Sequence, residues 1–227
     1  MPPVLGIVIP TLDAASLNRT LDRIGPIALA EGWPILISDG GSTDRPAERP
    51  GVRVILASRG RGQQLAAGAE ALLGGGVEWL FFLHADSLPS AGWREAIAGF
   101  IAEPRNEGRA GYGRLALDDT APAARRIEAL VAWRCRWLGL PYGDQGLLIH
   151  RDLYREVGGF PAVPLMEDVT IVRSVGRDRL AQLPFTMTTS AERYRRGGYI
   201  RRPLRNLGCL VLHLAGVPSD RIRRLYG

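Results

Sequence analysis

The sequence predicts an α/β domain, an open and mainly parallel sheet flanked by helices, with a helical C-terminal segment. Three observations carry this expectation. Short continuous apolar runs recur at residues 5–9, 34–38, 52–57 and 79–83. Stretches with apolar residues at helical spacing separate them, at 16–30, 63–73 and 91–101. Each run is followed by polar or glycine-rich residues rather than by a tight hairpin turn. Uninterrupted runs of this length fit parallel strands covered on both faces, and the alternation is a βαβ series.

The elements follow in order. Runs 5–9, 34–38, 52–57 and 79–83 are expected as strands, with the three helical stretches between and after them. Residues 111–117 read as a further strand and 123–138 as a helix with an arginine-rich outer side. Within that helix Trp133 and Trp137 lie one turn apart, and core packing is their expected role. A strand at 146–150 runs into a short helix at 152–157, and Gly158-Gly159-Phe160-Pro161 forms a turn. Residues 168–176 are expected to be helical and 179–188 extended. One amphipathic helix over 197–216 and a short one over 219–225 complete the chain. No repeat or low-complexity linker divides it. The organisation expected is a domain over 1–190, in two halves at 1–88 and 89–190, and a basic tail over 191–227 packed on or beside it.

Length and composition narrow the class. At 227 residues, with 46% hydrophobic and 23% charged, the chain is neither disordered nor fibrous. A chain of this size buries roughly 70–75% of its unfolded surface and needs no disulfide or metal to fold. Cys135 and Cys209 form no CxxC pair, which fits a reducing compartment or buried thiols. All 29 basic residues are arginine, and nine of them fall in 191–227 against Glu192 and Asp220. The tail therefore carries +7, and the preceding 190 residues, with 20 arginines and 21 acids, carry −1. No basic leader with a cleavage site is visible, and the longest apolar run, 207–217, is short for a membrane span. A cytoplasmic location is expected, with peripheral contact at the inner face of the membrane as its variant.

The chemistry is expected at the strand ends. After the first run comes Pro10-Thr11-Leu12-Asp13, and after the second Ser38-Asp39-Gly40-Gly41-Ser42-Thr43-Asp44. After the third comes Ser58-Arg59-Gly60-Arg61-Gly62, and after the fourth His84-Ala85-Asp86. In a parallel sheet these ends face one crevice. Carboxylates and amides suit a base and ribose, arginines suit phosphate oxygens, and an acid suits a divalent cation. Singly each stretch is a weak signal: turn chemistry explains the Asp-Gly-Gly-Ser loop, and the Gly60–Gly62 stretch is not a phosphate-binding GK[ST] loop. Their co-location carries the information.

These motifs resemble the nucleotide-sugar half of family 2 glycosyltransferases, which have the GT-A fold, with its Rossmann-like sheet. Gly143-Asp144-Gln145-Gly146, Gly158-Gly159-Phe160 and Met166-Glu167-Asp168-Val169 resemble the acceptor half, in the same order. Within the family the chain is most similar to a small bacterial subgroup labelled arsenosugar-biosynthesis glycosyltransferases. The resemblance implies a metal-dependent transferase that moves a sugar from a nucleoside diphosphate, a UDP-sugar by family habit, to an acceptor hydroxyl.

Carried over by position, it implies that Thr11, Asp13, Asp39, Ser42, Arg59, Arg61 and His84 lie on the donor side. Asp86 matches the last acid of the family's Asp-x-Asp motif, which holds Mg²⁺ or Mn²⁺. His84 stands where that motif has its first acid, a departure from the pattern. Asp168 matches the general base, with Glu167 orienting base or acceptor, and Asp144 and Gln145 line the acceptor side. The acceptor itself is not named by the sequence. A hydroxyl is a poor nucleophile until a carboxylate takes its proton, and a single displacement with one base inverts the anomeric centre.

Two rivals stand beside this reading. A nucleotidyltransferase would want a glycine-rich loop with Arg or Lys after the first strand, where Pro10-Thr11-Leu12-Asp13 stands. A non-catalytic nucleotide-sugar-binding subunit is the other, suggested by His84. The basic tail has three candidate partners: an anionic membrane surface, a diphosphate, and acids of the body. Nucleic acid is not expected, because no aromatic residues interleave the arginines and no binding motif is present.

Overall fold

The computed structural model describes residues 4–12, 14–44, 46 and 49–226. The first half comprises β1 (Leu5–Thr11), α1 (Ala14–Glu31), β2 (Ile35–Asp39), β3 (Val52–Leu56), α2 (Arg61–Leu73) and β4 (Trp79–Phe82). Then come β5 (Ser87–Pro89), α3 (Trp93–Ile101), β6 (Ala110–Leu117), α4 (Pro122–Leu138), β7 (Leu147–His150), α5 (Arg151–Glu156), α6 (Glu167–Val175) and β8 (Leu180–Thr189). Three helices end the chain: α7 (Glu192–Gly197), α8 (Arg201–Leu214) and α9 (Ser219–Tyr226).

One sheet holds all eight strands in the order β3-β2-β1-β4-β7-β6-β8-β5. Six strands run one way, and only β7 and β5 are reversed. The reversal of β7 has a direct consequence. Leu147, at its start, pairs with Phe82, at the end of β4. The loop before β7 therefore arrives at the carboxyl end of β4, and the exits of β6 and β8 reach the same edge.

Alternation along β1 shows how the core divides. Leu5, Ile7 and Ile9 pack with α1 and α3, through Leu17, Leu21, Ile24, Trp93 and Ile97. Val8 faces the other way, into a cluster with Leu65, Ala69 and Leu72 of α2 and Val169 and Val172 of α6. That cluster also takes in Cys209, Leu210 and Ile222, so α8 and α9 are docked on the body by their inner faces. Both cysteines are buried and free.

Four expectations are corrected. β3 is the sheet edge, not a strand covered on both faces, and Leu56 is 80% exposed. β5 had no expected counterpart; three residues carry too little pattern to read. The helix expected over 197–216 is shorter, α8 at Arg201–Leu214, and the arginines before it lie on a separate helix, α7, which ends where Gly198 holds a φ of 83°. Trp133 and Trp137 do not pack in the core: they are 54% and 53% exposed. Among the described residues no helix is long and apolar enough to cross a membrane.

One buried side chain ties α2 to the ends of β1 and β2. The Gln64 amide, 2% exposed, donates to the carbonyls of Thr11 (2.7 Å) and Ser38 (2.8 Å), at the ends of β1 and β2. Gln64→Leu keeps the volume and removes one donor from each carbonyl, while Thr11 keeps its bond from the Gly40 N–H (3.0 Å). We expect a loss of roughly 1–3 kcal/mol in urea denaturation.

Candidate active site

The strand ends place the expected residues along one edge in two groups. Asp39 ends β2 beside Thr11 at the end of β1, and both are buried. Asp39 Oδ1 accepts from the Ser42 hydroxyl (2.6 Å) and from the backbone N–H groups of Ser42 (2.9 Å) and Gly41 (3.2 Å). The sequence Asp-Gly-Gly-Ser thus closes its own loop around one carboxylate oxygen. Asp13 lies outside the described residues, and Arg59 is exposed beyond this edge.

The second group surrounds an open cavity of about 150 Å³, whose lining includes Arg61, His84, Asp86, Asp144 and Asp168. Asp39 and Ser42 are not among its lining residues. The turn carrying Asp86 follows β4 and is held by the Thr20 hydroxyl, which donates to the Ala85 carbonyl (2.7 Å). The turn of Gly143–Gln145 enters from the reversed strand β7. Gln145 is 2% exposed and structural in its contacts: its amide donates to the Gly113 carbonyl (3.0 Å), and its Oε1 accepts from the Tyr142 N–H (3.3 Å). It holds the turn to β6 and does not line the cavity.

Arg61 joins the two halves. It opens α2, and its guanidinium donates to Glu167 and lies 3.9 Å from Asp168 Oδ2, both in the first turn of α6. Close packing allows this. A Cβ on Gly62 would fall 2.3 Å from the Pro161 carbonyl, so only glycine lets α2 start here. Met166, just before Glu167, holds a left-handed φ of 67°, the one non-glycine positive φ among the described residues. A conformation of that kind costs on the order of 1–3 kcal/mol and persists where the surroundings impose it.

The charges follow from this packing. Burial alone would raise the Asp168 carboxyl, but Arg61 and the backbone N–H groups of Gly143 (3.0 Å) and Val169 (2.8 Å) outweigh it and hold the group below its ordinary value. Burial opposes the charge on Arg61, and the carboxylates of Glu167 and Asp168 restore it. Burial, with Arg61 beside it, pushes the His84 imidazole down to about 4, so the ring is neutral at pH 7. Asp144 is the contrast: burial pushes it up to about 6, with Arg134 offsetting only part, and its buried Oδ1 has no hydrogen-bond partner.

Several lining residues were not foreseen. Arg134 of α4 stacks over the Tyr142 ring at 3.4 Å, and Arg193, Arg202 and Asn206 come from the C-terminal segment. The arginine excess of the tail was the only signal for two of them. Other tail arginines do different work: Arg195 pairs with Asp118 (3.5 Å) and Asp119 (3.3 Å) of the body. The break at Gly198 also places Arg195 and Arg196 in the last turn of α7, where cations suit the helix dipole.

A divalent cation fits this edge in a specific way. Asp86 offers a hard carboxylate oxygen to the cavity, yet among the described residues no three His, Cys, Asp or Glu side chains cluster to hold an ion alone. A Mg²⁺-type ion is commonly bound by one or two carboxylates plus substrate phosphates, and this donor set matches that pattern.

Comparison with known proteins agrees at the level of the fold. No protein-family model matches the chain, and no curated protein sequence matches it. Among solved structures, GalNAc-T7 with UDP, GalNAc and Mn²⁺ superposes with a TM-score of 0.59 at 14% identity, over 83% of this chain and 44% of that one. This chain therefore spans less than half of that protein's chain. Glucosyl-3-phosphoglycerate synthase from Mycobacterium tuberculosis, in complex with Mn²⁺, UDP-glucose and phosphoglyceric acid, gives 0.58 at 18% identity, over 95% and 81%. The same enzyme with Mn²⁺, UDP and glucosyl-3-phosphoglycerate gives 0.57. The fold is the GT-A fold of glycosyltransferases, a mixed, mostly parallel sheet flanked by helices.

The position of Asp144 makes stability depend on pH. Its folded value is raised from 3.8 to about 6, so its favourable contribution is complete below pH 4 and is lost as pH rises through 6. Asp144→Asn removes that loss. We expect the variant to be more stable than the parent by on the order of 1–3 kcal/mol at pH 7, with the difference vanishing near pH 4 in thermal melts.

Proposed function

We propose that this chain is a divalent-cation-dependent glycosyltransferase that moves a sugar from a nucleoside diphosphate, a UDP-sugar by preference, to an acceptor hydroxyl. The observation that carries the reading is the placement of Asp86 and Asp168 on one cavity at the carboxyl edge of a GT-A sheet. The ligands named for the similar structures, UDP or UDP-glucose with Mn²⁺, support the same donor and ion.

Thr11, Asp39 and Ser42 hold the nucleoside, through the Asp39 oxygen that its own loop leaves over. Asp86 would hold Mg²⁺ or Mn²⁺, whose charge offsets that of the departing diphosphate. Asp168 accepts the proton of the acceptor hydroxyl. A lone pair of the hydroxyl oxygen forms the new bond to the anomeric carbon, and the O–H pair stays on that oxygen as the proton leaves. The bond to the diphosphate oxygen breaks with its pair going to the diphosphate, so one displacement inverts that centre. With its basicity lowered by Arg61, Asp168 is a weak base, suited to taking the proton as the new bond forms and the hydroxyl becomes acidic. Glu167 acts through Arg61 as a positioning residue. Asp144, with an oxygen lacking a partner, and Arg134 face the acceptor.

Asp168→Asn should retain donor binding and lose transfer by about 10²–10⁴-fold, the usual contribution of a general base. Transfer that survives the substitution overturns the assignment of the base. Because one protein carboxylate leaves the ion dependent on phosphate oxygens, Mn²⁺ and UDP should each tighten the other's binding by the same factor in titration calorimetry. In Asp86→Ala that coupling, and UDP release from a UDP-sugar, should both disappear.

A further inference from the structure

We propose that the outer face of α8 seats the protein on an anionic lipid surface, lying in the interface rather than spanning it. This goes beyond the transfer reading and does not depend on it. Ile200, Leu204, Leu207, Val211 and Leu214 recur every three or four residues at the start of α8 and along it, and are 46–74% exposed. The opposite face, with Cys209 and Leu210, is buried in the core. The helix is thus fixed to the body on one side, and its whole apolar row is turned to the outside.

A second apolar row lies nearby. Leu130, Trp133 and Trp137 follow one face of α4 and are each more than half exposed. α4 and α8 border the same cavity, through Val131 and Arg134 on one and Arg202 and Asn206 on the other. Tryptophans and leucines beside arginines are what an interfacial surface uses, aromatic rings at headgroup depth and aliphatic chains below.

Charge selects the occupant. The segment 191–227 carries nine arginines against two acids. Arg201 flanks the apolar row, and Arg221, Arg223 and Arg224 lie on the adjoining α9. A symmetric pairing of two copies through α8 would bring these like charges together, whereas phosphate headgroups neutralise them. The cavity would then open beside the headgroups, within reach of an acceptor carried by the membrane.

The test is co-sedimentation with phosphatidylcholine vesicles, with and without phosphatidylglycerol, at low and high salt. We expect binding to the anionic vesicles alone, weakened by salt, and roughly tenfold or more weaker in Leu207→Ser/Val211→Ser. Both side chains point outward, so the variant should keep its thermal melt and its UDP release in vesicle-free solution, which separates this test from that of transfer. Absent binding of the parent at low salt overturns the proposal, as does equal binding of parent and variant. A dimer of the parent that the paired substitution dissociates, without vesicle binding, assigns the face to a second copy and overturns it too.

Discussion

The contact between Arg61 and the acid pair Glu167–Asp168 is the constraint on which the site depends. Arg61 belongs to the helix that follows β3, and the acids begin a helix that follows the reversed strand β7, more than a hundred residues later. Glu167 is 1% exposed: burial raises its carboxyl above the ordinary value, and the guanidinium beside it works against that rise. The same cation sets the basicity of Asp168. One ion pair therefore closes the two halves of the sheet on each other and fixes the protonation of the residue to which we assign proton transfer. The close approach of α2 at Gly62 and the left-handed Met166 are the local means of bringing the partners together.

Topology supplies the rest of the convergence. A strictly parallel sheet would deliver only exits of strands to its carboxyl edge. Reversing β7 delivers an entry there as well, and with it the Gly143–Gln145 turn, whose backbone N–H bonds Asp168. Gln145 stabilises that turn from below, so its neighbour Asp144 can be buried with an oxygen left over. An unpaired buried oxygen is costly, and this one belongs to a residue that lines the cavity to which we assign the acceptor.

The C-terminal segment divides its arginines by task. Arg195 braces the segment against Asp118 and Asp119, Arg193 and Arg202 line the cavity, and those on α9 face outward. Composition gave no means of separating these roles, because the side chains are identical and only the break at Gly198 assigns their directions. Apolar spacing through 197–216 pointed to one helix, and the structure has it as α8, shortened at its start where Gly198 holds a positive φ.

From the residues alone, the βαβ alternation, the strands and helices of the first half and the set of polar strand ends were legible, since periodicity and turn chemistry are local. The resemblance to family 2 glycosyltransferases, carried by the motifs at those strand ends and downstream, marked Asp39, Asp86 and Asp168 as candidates. Only the tertiary structure decided how they group. It set Asp86 and Asp168 on one cavity and turned Asp39 into its own loop. It gave Arg61 to Glu167, brought Arg134 and the tail into the lining, and left Trp133 and Trp137 outside. Each of those outcomes turns on which strand reverses and which helix face meets the core. Such contacts join residues far apart in the chain, and no local pattern encodes them.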